Sequence, residues 1–71
     1  MTIAYDSEVD ALSIRLRNEP VETSDEIQEG VIIDYDVKGK IVGIEVLDAS
    51  EKIENPEAVE YASNTSATVA R

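Results

Sequence analysis

A chain of 71 residues has room for one domain, and sixteen acidic against six basic residues, net charge −10, argue against binding to nucleic acid or to an anionic membrane. With no Cys and no His, disulfides and zinc-type sites are excluded, so any metal would need carboxylate and carbonyl ligands and would be calcium, magnesium or manganese. A chain this short buries only about 60% of its unfolded surface, so a second subunit is the expected support: a homodimer or a permanent partner.

The first strand is expected over Thr2–Asp6, where Ile3 and Tyr5 share one face. Met1-Thr2-Ile3-Ala4-Tyr5-Asp6 lacks the basic and apolar regions of a secretory signal, and no apolar run reaches the ~20 residues of a membrane span. A cytoplasmic protein is expected. Asp6-Ser7-Glu8-Val9-Asp10 reads as a turn, because Asp and Ser bond their own backbone there. Ala11–Arg17 alternates cleanly, with Leu12, Ile14 and Leu16 on one face and Ser13, Arg15 and Arg17 on the other. Asn18-Glu19-Pro20 ends that run. Val21–Ile27 reads as an edge strand whose charges suppress unwanted pairing.

After Gln28-Glu29-Gly30, the runs Val31–Asp36 and Lys40–Leu47 form the central hairpin. A loop with an even number of residues sets Asp36 opposite Ile41, Tyr35 opposite Val42, Ile33 opposite Ile44 and Val31 opposite Val46. One face is then wholly apolar. A three-residue loop with a Gly39 bulge would slip the register by one and mix the faces, so the hydrophobic pattern favours the even loop. The second face carries Ile32, Ile41 and Leu47 around Gly43, a strip expected to be covered by other chain and so an interaction surface.

Asp48-Ala49-Ser50-Glu51 reads as a capping box starting a short helix. Asn55-Pro56-Glu57 reads as a second helix start, with Asn55 as the cap and Ala58, Val59, Tyr61 and Ala62 on its apolar side. From Ser63 the chain is small, polar and expected to fray. The fold class is therefore mainly β (a β-rich α+β): an antiparallel meander of about five strands over residues 1–54, with one or two short C-terminal helices and a flexible tail within 55–71.

The chemistry available is carboxylate chemistry. Gly30, Gly39 and Gly43 are scattered and form no phosphate loop. Asp34 and Asp36 share a strand face with Glu45 nearby, but no cleft favours acid–base work, so neither enzymatic activity nor a cofactor is expected. Asp6, Glu8 and Asp10 have the alternate spacing of a cation loop, without its Gly and its distant Glu. The plainer reading is an acidic turn with Asp10 capping. Arg15 and Arg17 read as internal charge partners.

Tyr5-Asp6, Asp10-Ala11-Leu12, Gly30-Val31-Ile32-Ile33-Asp34-Tyr35-Asp36 and Ile41-Val42-Gly43-Ile44-Glu45-Val46-Leu47-Asp48-Ala49-Ser50 resemble a family of short prokaryotic proteins. That family is known as a domain of unknown function, of the YDxxxDALYIRL…GVIVDYD…GRVVGIEILDAS type. The resemblance spans roughly residues 1–53 and departs at Ser13, where the family often has an aromatic. It implies a compact, mostly β fold and no established activity. Some members sit beside toxin-like genes, which implies an antitoxin-like role. Three readings stand: a non-enzymatic module binding a basic protein, a carboxylate-based divalent-cation protein, and a self-associating β domain.

Overall fold

In the computed structural model, which describes residues 1–64, the expected alternation becomes strands. They are β1 (Thr2–Asp6), β2 (Ala11–Arg15), β3 (Thr23–Gln28), β4 (Val31–Tyr35) and β5 (Ile41–Leu47). All pair antiparallel in one sheet of order β1-β2-β5-β4-β3. The most apolar strands sit inside and the polar ones outside. Every residue of β3 is exposed, and Asp25 and Glu26 guard that edge.

The order is not that of a plain meander, because β5 lies between β2 and β4. The segment 16–22 therefore runs along one end of the sheet, past β5 and β4, to reach β3. Its backbone is tied down on the way. The amides of Leu16 and Arg17 both donate to the Val42 carbonyl, at 2.8 and 3.4 Å, and the Glu22 amide donates to the Tyr35 carbonyl at 2.7 Å.

The central hairpin combines both turn readings. Val31 faces Val46 and Ile33 faces Ile44, as the even loop requires, and Asp34 faces Gly43. The loop itself nevertheless has three residues. The Asp36 amide donates to the Lys40 carbonyl at 2.8 Å, the Gly39 amide donates to the Asp36 carbonyl at 3.0 Å, and Gly39 is left-handed at φ 80°. An odd loop beside an in-phase ladder leaves one residue over, and Val42 is that residue. Tyr35 thus pairs with Ile41 rather than Val42, and Asp36 lies opposite Lys40 rather than Ile41. Such a bulge bends its strand and sharpens the local twist. Here it also buries the extra side chain, since Val42 is completely inaccessible.

Reading across the register, Ile3, Ile14, Ile44 and Ile33 form one row, and Tyr5, Leu12, Val46 and Val31 the next. This is the apolar face. Ala4, Ser13, Glu45 and Ile32 form a row of the other face. Among the described residues no second layer closes over the sheet. The radius of gyration is 14.6 Å, against about 11 Å for a compact domain of this length.

The helix α1 (Ala49–Lys52) is short and buries Ala49. Its start differs from the expected capping box. Asp48 is left-handed at φ 51° and makes no side-chain cap bond. The second expected helix is replaced by a turn, because Asn55 is also left-handed, at φ 53°, whereas a helix cap needs extended backbone. The Ala58 amide donates to the Asn55 carbonyl at 3.1 Å, and Val59 and Tyr61 are exposed. Pro56, Glu57 and Val59 instead border a cavity with Ile3, Tyr5 and Leu12, at one end of the apolar face. The expected tail beyond Asn64 lies outside the described residues. No helix among the described residues is long and apolar enough to cross a membrane.

Candidate functional site

The two ends of the sheet differ in charge. At one end the 6–10 turn, the 28–30 turn and α1 come together. Asp6 pairs with Ala11 and Ala11 with Leu47. The Leu47 amide donates to the Gly30 carbonyl at 2.7 Å, and the Ala49 amide to the Asp10 carbonyl at 2.9 Å. Asp6, Glu8, Glu29, Asp48 and Glu51 collect there with one base, Lys52. The Lys52 ammonium, on an exposed side chain, donates to the Leu47 carbonyl at 2.6 Å and lies over Gly30.

Asp10 organises this acidic end from a left-handed position at φ 55°. Its Oδ1 accepts the Tyr5 hydroxyl at 2.6 Å and the Ser50 amide at 3.0 Å, and its Oδ2 accepts the Ser50 hydroxyl at 2.7 Å. The cap of α1 is thus supplied from the β1–β2 turn and not by Asp48. The hydrogen bonds from Tyr5 and then Ser50 hold the Asp10 carboxyl below its ordinary range. The same bond to Asp10, with burial adding to it, pushes the Tyr5 hydroxyl up to about 12. Asp6 accepts the Glu8 amide at 2.9 Å, a local turn bond. Of the spaced acids Asp6, Glu8 and Asp10, the carboxylates of Asp6 and Asp10 are therefore engaged separately. Among the described residues no group of three or more His, Cys, Asp or Glu is placed to hold a metal ion.

The opposite end carries both signs. Asp36, only 8% exposed, accepts the amides of Lys38 and Lys40 at 2.9 Å each and pairs with the Arg17 guanidinium. The Arg17 bond, then the Lys40 amide, keeps its carboxyl below the ordinary range. Arg17 so straps the 16–22 segment to the central hairpin, and Arg15 donates to the Glu19 carbonyl. Both arginines are internal partners. With Lys38 and Lys40 they place most of the chain's positive charge at this end, beside Glu19 and Glu22.

Asp34, Asp36 and Glu45 do not converge. Asp36 turns to Arg17, whereas Asp34, 7% exposed, accepts the Ser24 hydroxyl at 2.6 Å and adjoins Glu45. The hydrogen bond with Asp34, then burial, then its charge raise the Glu45 carboxyl above the ordinary range. Gly43 opens a shallow depression beside them, bordered by Ser13 and Arg15. A Cβ on Gly43 would sit 3.1 Å from the Ile14 carbonyl and 3.4 Å from Asp34 Oδ2, so the close approach anticipated at Gly43 is to backbone of its own sheet.

Of the expected interaction strip, Ile32 is half-buried opposite Glu45, and Leu47 is 41% exposed at the acidic end. Ile41, 43% exposed, stands apart from them, because the bulge sets it opposite Tyr35 on the apolar face. There it joins Leu16 and Ile3, which are 38% and 37% exposed. Sequence reasoning missed this patch. The signal was the coexistence of a three-residue Gly39 loop with an in-phase ladder, which together require a bulge.

A family model described as "Protein of unknown function (DUF2283)" matches residues 2–50. No curated protein and no solved structure matches the chain.

Proposed function

This chain belongs to the DUF2283 family, proteins of unknown function, so no activity comes with the fold, and we propose that it is a non-enzymatic interaction module whose acidic end docks a basic protein. The observation that carries this is the segregation of charge. The 6–10 turn, the 28–30 turn and α1 present Asp6, Glu8, Glu29, Asp48 and Glu51 at one end, against a single ammonium, that of Lys52. Such a field speeds encounter with a cationic surface and repels polyanions. The Asp10 bonds tie the 6–10 turn to α1, and the Leu47 amide ties Gly30 of the 28–30 turn to β5, so the carboxylates are presented on a fixed base. A cytoplasmic, antitoxin-like pairing with a basic toxin is one form this takes.

The test is affinity capture from the native host with the wild-type chain and with a Glu8→Lys/Glu29→Lys/Glu51→Lys variant. A basic protein retained by the first at physiological salt and lost by the second is the expected result. Retention of nothing, or of a partner indifferent to the charge reversal, removes the reading. Calcium, magnesium and manganese titrations by calorimetry on the same samples address the cation-binding alternative. A saturable heat accompanied by a higher melting temperature would favour it.

A further inference from the structure

We infer that β1 is a docking edge for a second copy of this chain, the two β1 strands pairing antiparallel about a two-fold axis at Ala4. The sheet has two outer strands, β1 and β3. β3 carries Asp25, Glu26 and a bulge between Glu26 and Gln28, the usual guards of an exposed edge. β1 has no bulge, no proline and no charge before Asp6. Among the described residues it pairs with β2 alone.

The backbone fixes which groups this edge offers. Successive residues of an antiparallel strand direct their amides and carbonyls to opposite sides. The Asp10 carbonyl accepts the Ala49 amide and the Leu16 amide donates to the Val42 carbonyl, so the even-numbered residues of β2 bond toward β5. Ala11, Ser13 and Arg15 then bond toward β1, where they face Asp6, Ala4 and Thr2. Ile3 and Tyr5 are left with outward amides and carbonyls. An axis at Ala4 brings those groups together. Ile3 exchanges both hydrogen bonds with Tyr5 of the second copy, and Tyr5 does so with its Ile3. An axis at Ile3 or Tyr5 pairs that residue with itself and sends the other to Met1 or Ser7, off the strand. An axis between residues sets outward groups against inward ones.

The side chains agree with the same register. With Ile3 beside Tyr5 of the copy, the row Ile33-Ile44-Ile14-Ile3 runs on into Tyr5-Leu12-Val46-Val31, so the apolar face continues across both sheets. On the other face Ala4 meets Ala4, and Asp6 meets Thr2, whose neighbour on β2 is Arg15. No like charges stand opposite each other. The acidic end of each copy also lies beside the mixed-charge end of the other. An axis through the middle of β3 would instead set Asp25 or Glu26 against acid of the copy. The strand is thus complementary to itself in backbone, apolar pattern and charge, which selects a second copy as its partner.

The experiment joins sedimentation equilibrium over a concentration series to disulfide trapping, in a chain that has no cysteine of its own. The expected mass rises with concentration toward twice 7.8 kDa. Residues facing each other without mutual hydrogen bonds have Cα atoms about 4.5 Å apart, within disulfide reach. Ala4→Cys should therefore oxidise to a disulfide-linked dimer. Thr2→Cys should not link to itself and should link to Asp6→Cys when the two variants are mixed. Asp25→Cys on the β3 edge should stay single. Ile3→Pro removes an outward amide, a place where an edge strand accepts proline, and should abolish the rise in mass, whereas Ile3→Ala keeps it, with circular dichroism confirming that both are folded. A single-chain mass throughout overturns the inference. So does association that Ile3→Pro leaves unchanged in the folded chain, or linkage through Asp25→Cys and not Ala4→Cys. Ile3→Pro leaves the acidic end intact and should still capture a basic protein, so this inference and the proposed function fail separately.

Discussion

Asp10 holds Ser50 across forty positions of sequence, taking its amide at 3.0 Å on one oxygen and its hydroxyl at 2.7 Å on the other. A four-residue helix is far too short to persist on its own. Its register on the sheet is therefore set by a carboxylate in another turn.

The first prediction concerns that carboxylate. The folded state holds Asp10 below its ordinary value of 3.8, so its contribution is present above that value and is lost as pH falls through the lower, folded one. Asp10→Ala should lower the midpoint of thermal unfolding at neutral pH more than Asp6→Ala, which breaks a local turn bond only. Asp10→Asn keeps an acceptor for the Ser50 hydroxyl and should fall between them, with a smaller loss of stability as pH falls because the titrating group is gone. Circular dichroism melts over a pH series would show it. Equal losses from Asp6→Ala and Asp10→Ala would contradict the assignment.

Tyr5 makes the alkaline counterpart. Its hydroxyl is raised from 10.0 to about 12. A raised value favours the protonated form in the folded state, so the bond's stabilisation is complete below 10.0 and is lost as pH rises toward about 12. Ultraviolet titration should show a tyrosine step displaced to high pH, from Tyr5. Tyr5→Phe should delete the late step and flatten the loss of stability over that interval. A late step that survives Tyr5→Phe would belong to another tyrosine.

Much of the fold is readable from sequence because β2 alternates strictly, β4 and β5 each carry an apolar residue at every second position of one face, and turn residues separate the runs. The order of strands is not. Alternation says which residues share a face and nothing about which strand lies beside which, so β5 between β2 and β4 could not be read. The bulge at Val42 escapes for a related reason. Ile41 and Val42 are consecutive apolar residues, either of which can face Tyr35, so the side-chain pattern does not mark the slip. The site is less legible still. Asp10 resembles a cation ligand because sequence gives its neighbours Asp6 and Glu8 and hides its true partners, Tyr5 and Ser50. Asn55 misleads in the same way, since its side chain has cap chemistry while its backbone is left-handed.

Glu45 is expected to run against the acid trend set by Asp10. Its carboxyl is raised above 4.5 by Asp34, so the protonated pair is favoured in the fold, and this contribution fades as pH climbs through the folded value. Glu45→Gln keeps a donor for Asp34 at every pH. The variant should equal the wild type below 4.5 and exceed it at neutral pH. Carbon-detected carboxyl titration by nuclear magnetic resonance would follow Glu45 directly. Its step should move down in Asp34→Asn, where the neighbouring charge is gone. A variant less stable than wild type at neutral pH would mean that the two carboxyls do not repel as placed.

The last prediction separates two glycines, one in the hairpin loop and one in β5. Gly39 is left-handed at φ 80° with nothing within 4 Å of a would-be Cβ, so Gly39→Ala meets a backbone penalty alone, about 1–2 kcal/mol. Asn tolerates that conformation better, and Gly39→Asn should recover part of the loss. Gly43 is different, because a Cβ there meets the Ile14 carbonyl at 3.1 Å and Asp34 Oδ2 at 3.4 Å. The carbonyl belongs to the β2–β5 ladder and yields only if the strands shift, so Gly43→Ala should cost about 1–3 kcal/mol, as overpacking does. No polar replacement at 43 relieves that contact, and Gly43→Ser should be no better than Gly43→Ala. Urea unfolding gives the energies, and amide chemical shifts give their reach. Gly39→Ala should disturb Asp36 to Lys40 only. Gly43→Ala should disturb Ile14 on β2 and Asp34 on β4 together, and silence at either would show that the strands do not press on one another there.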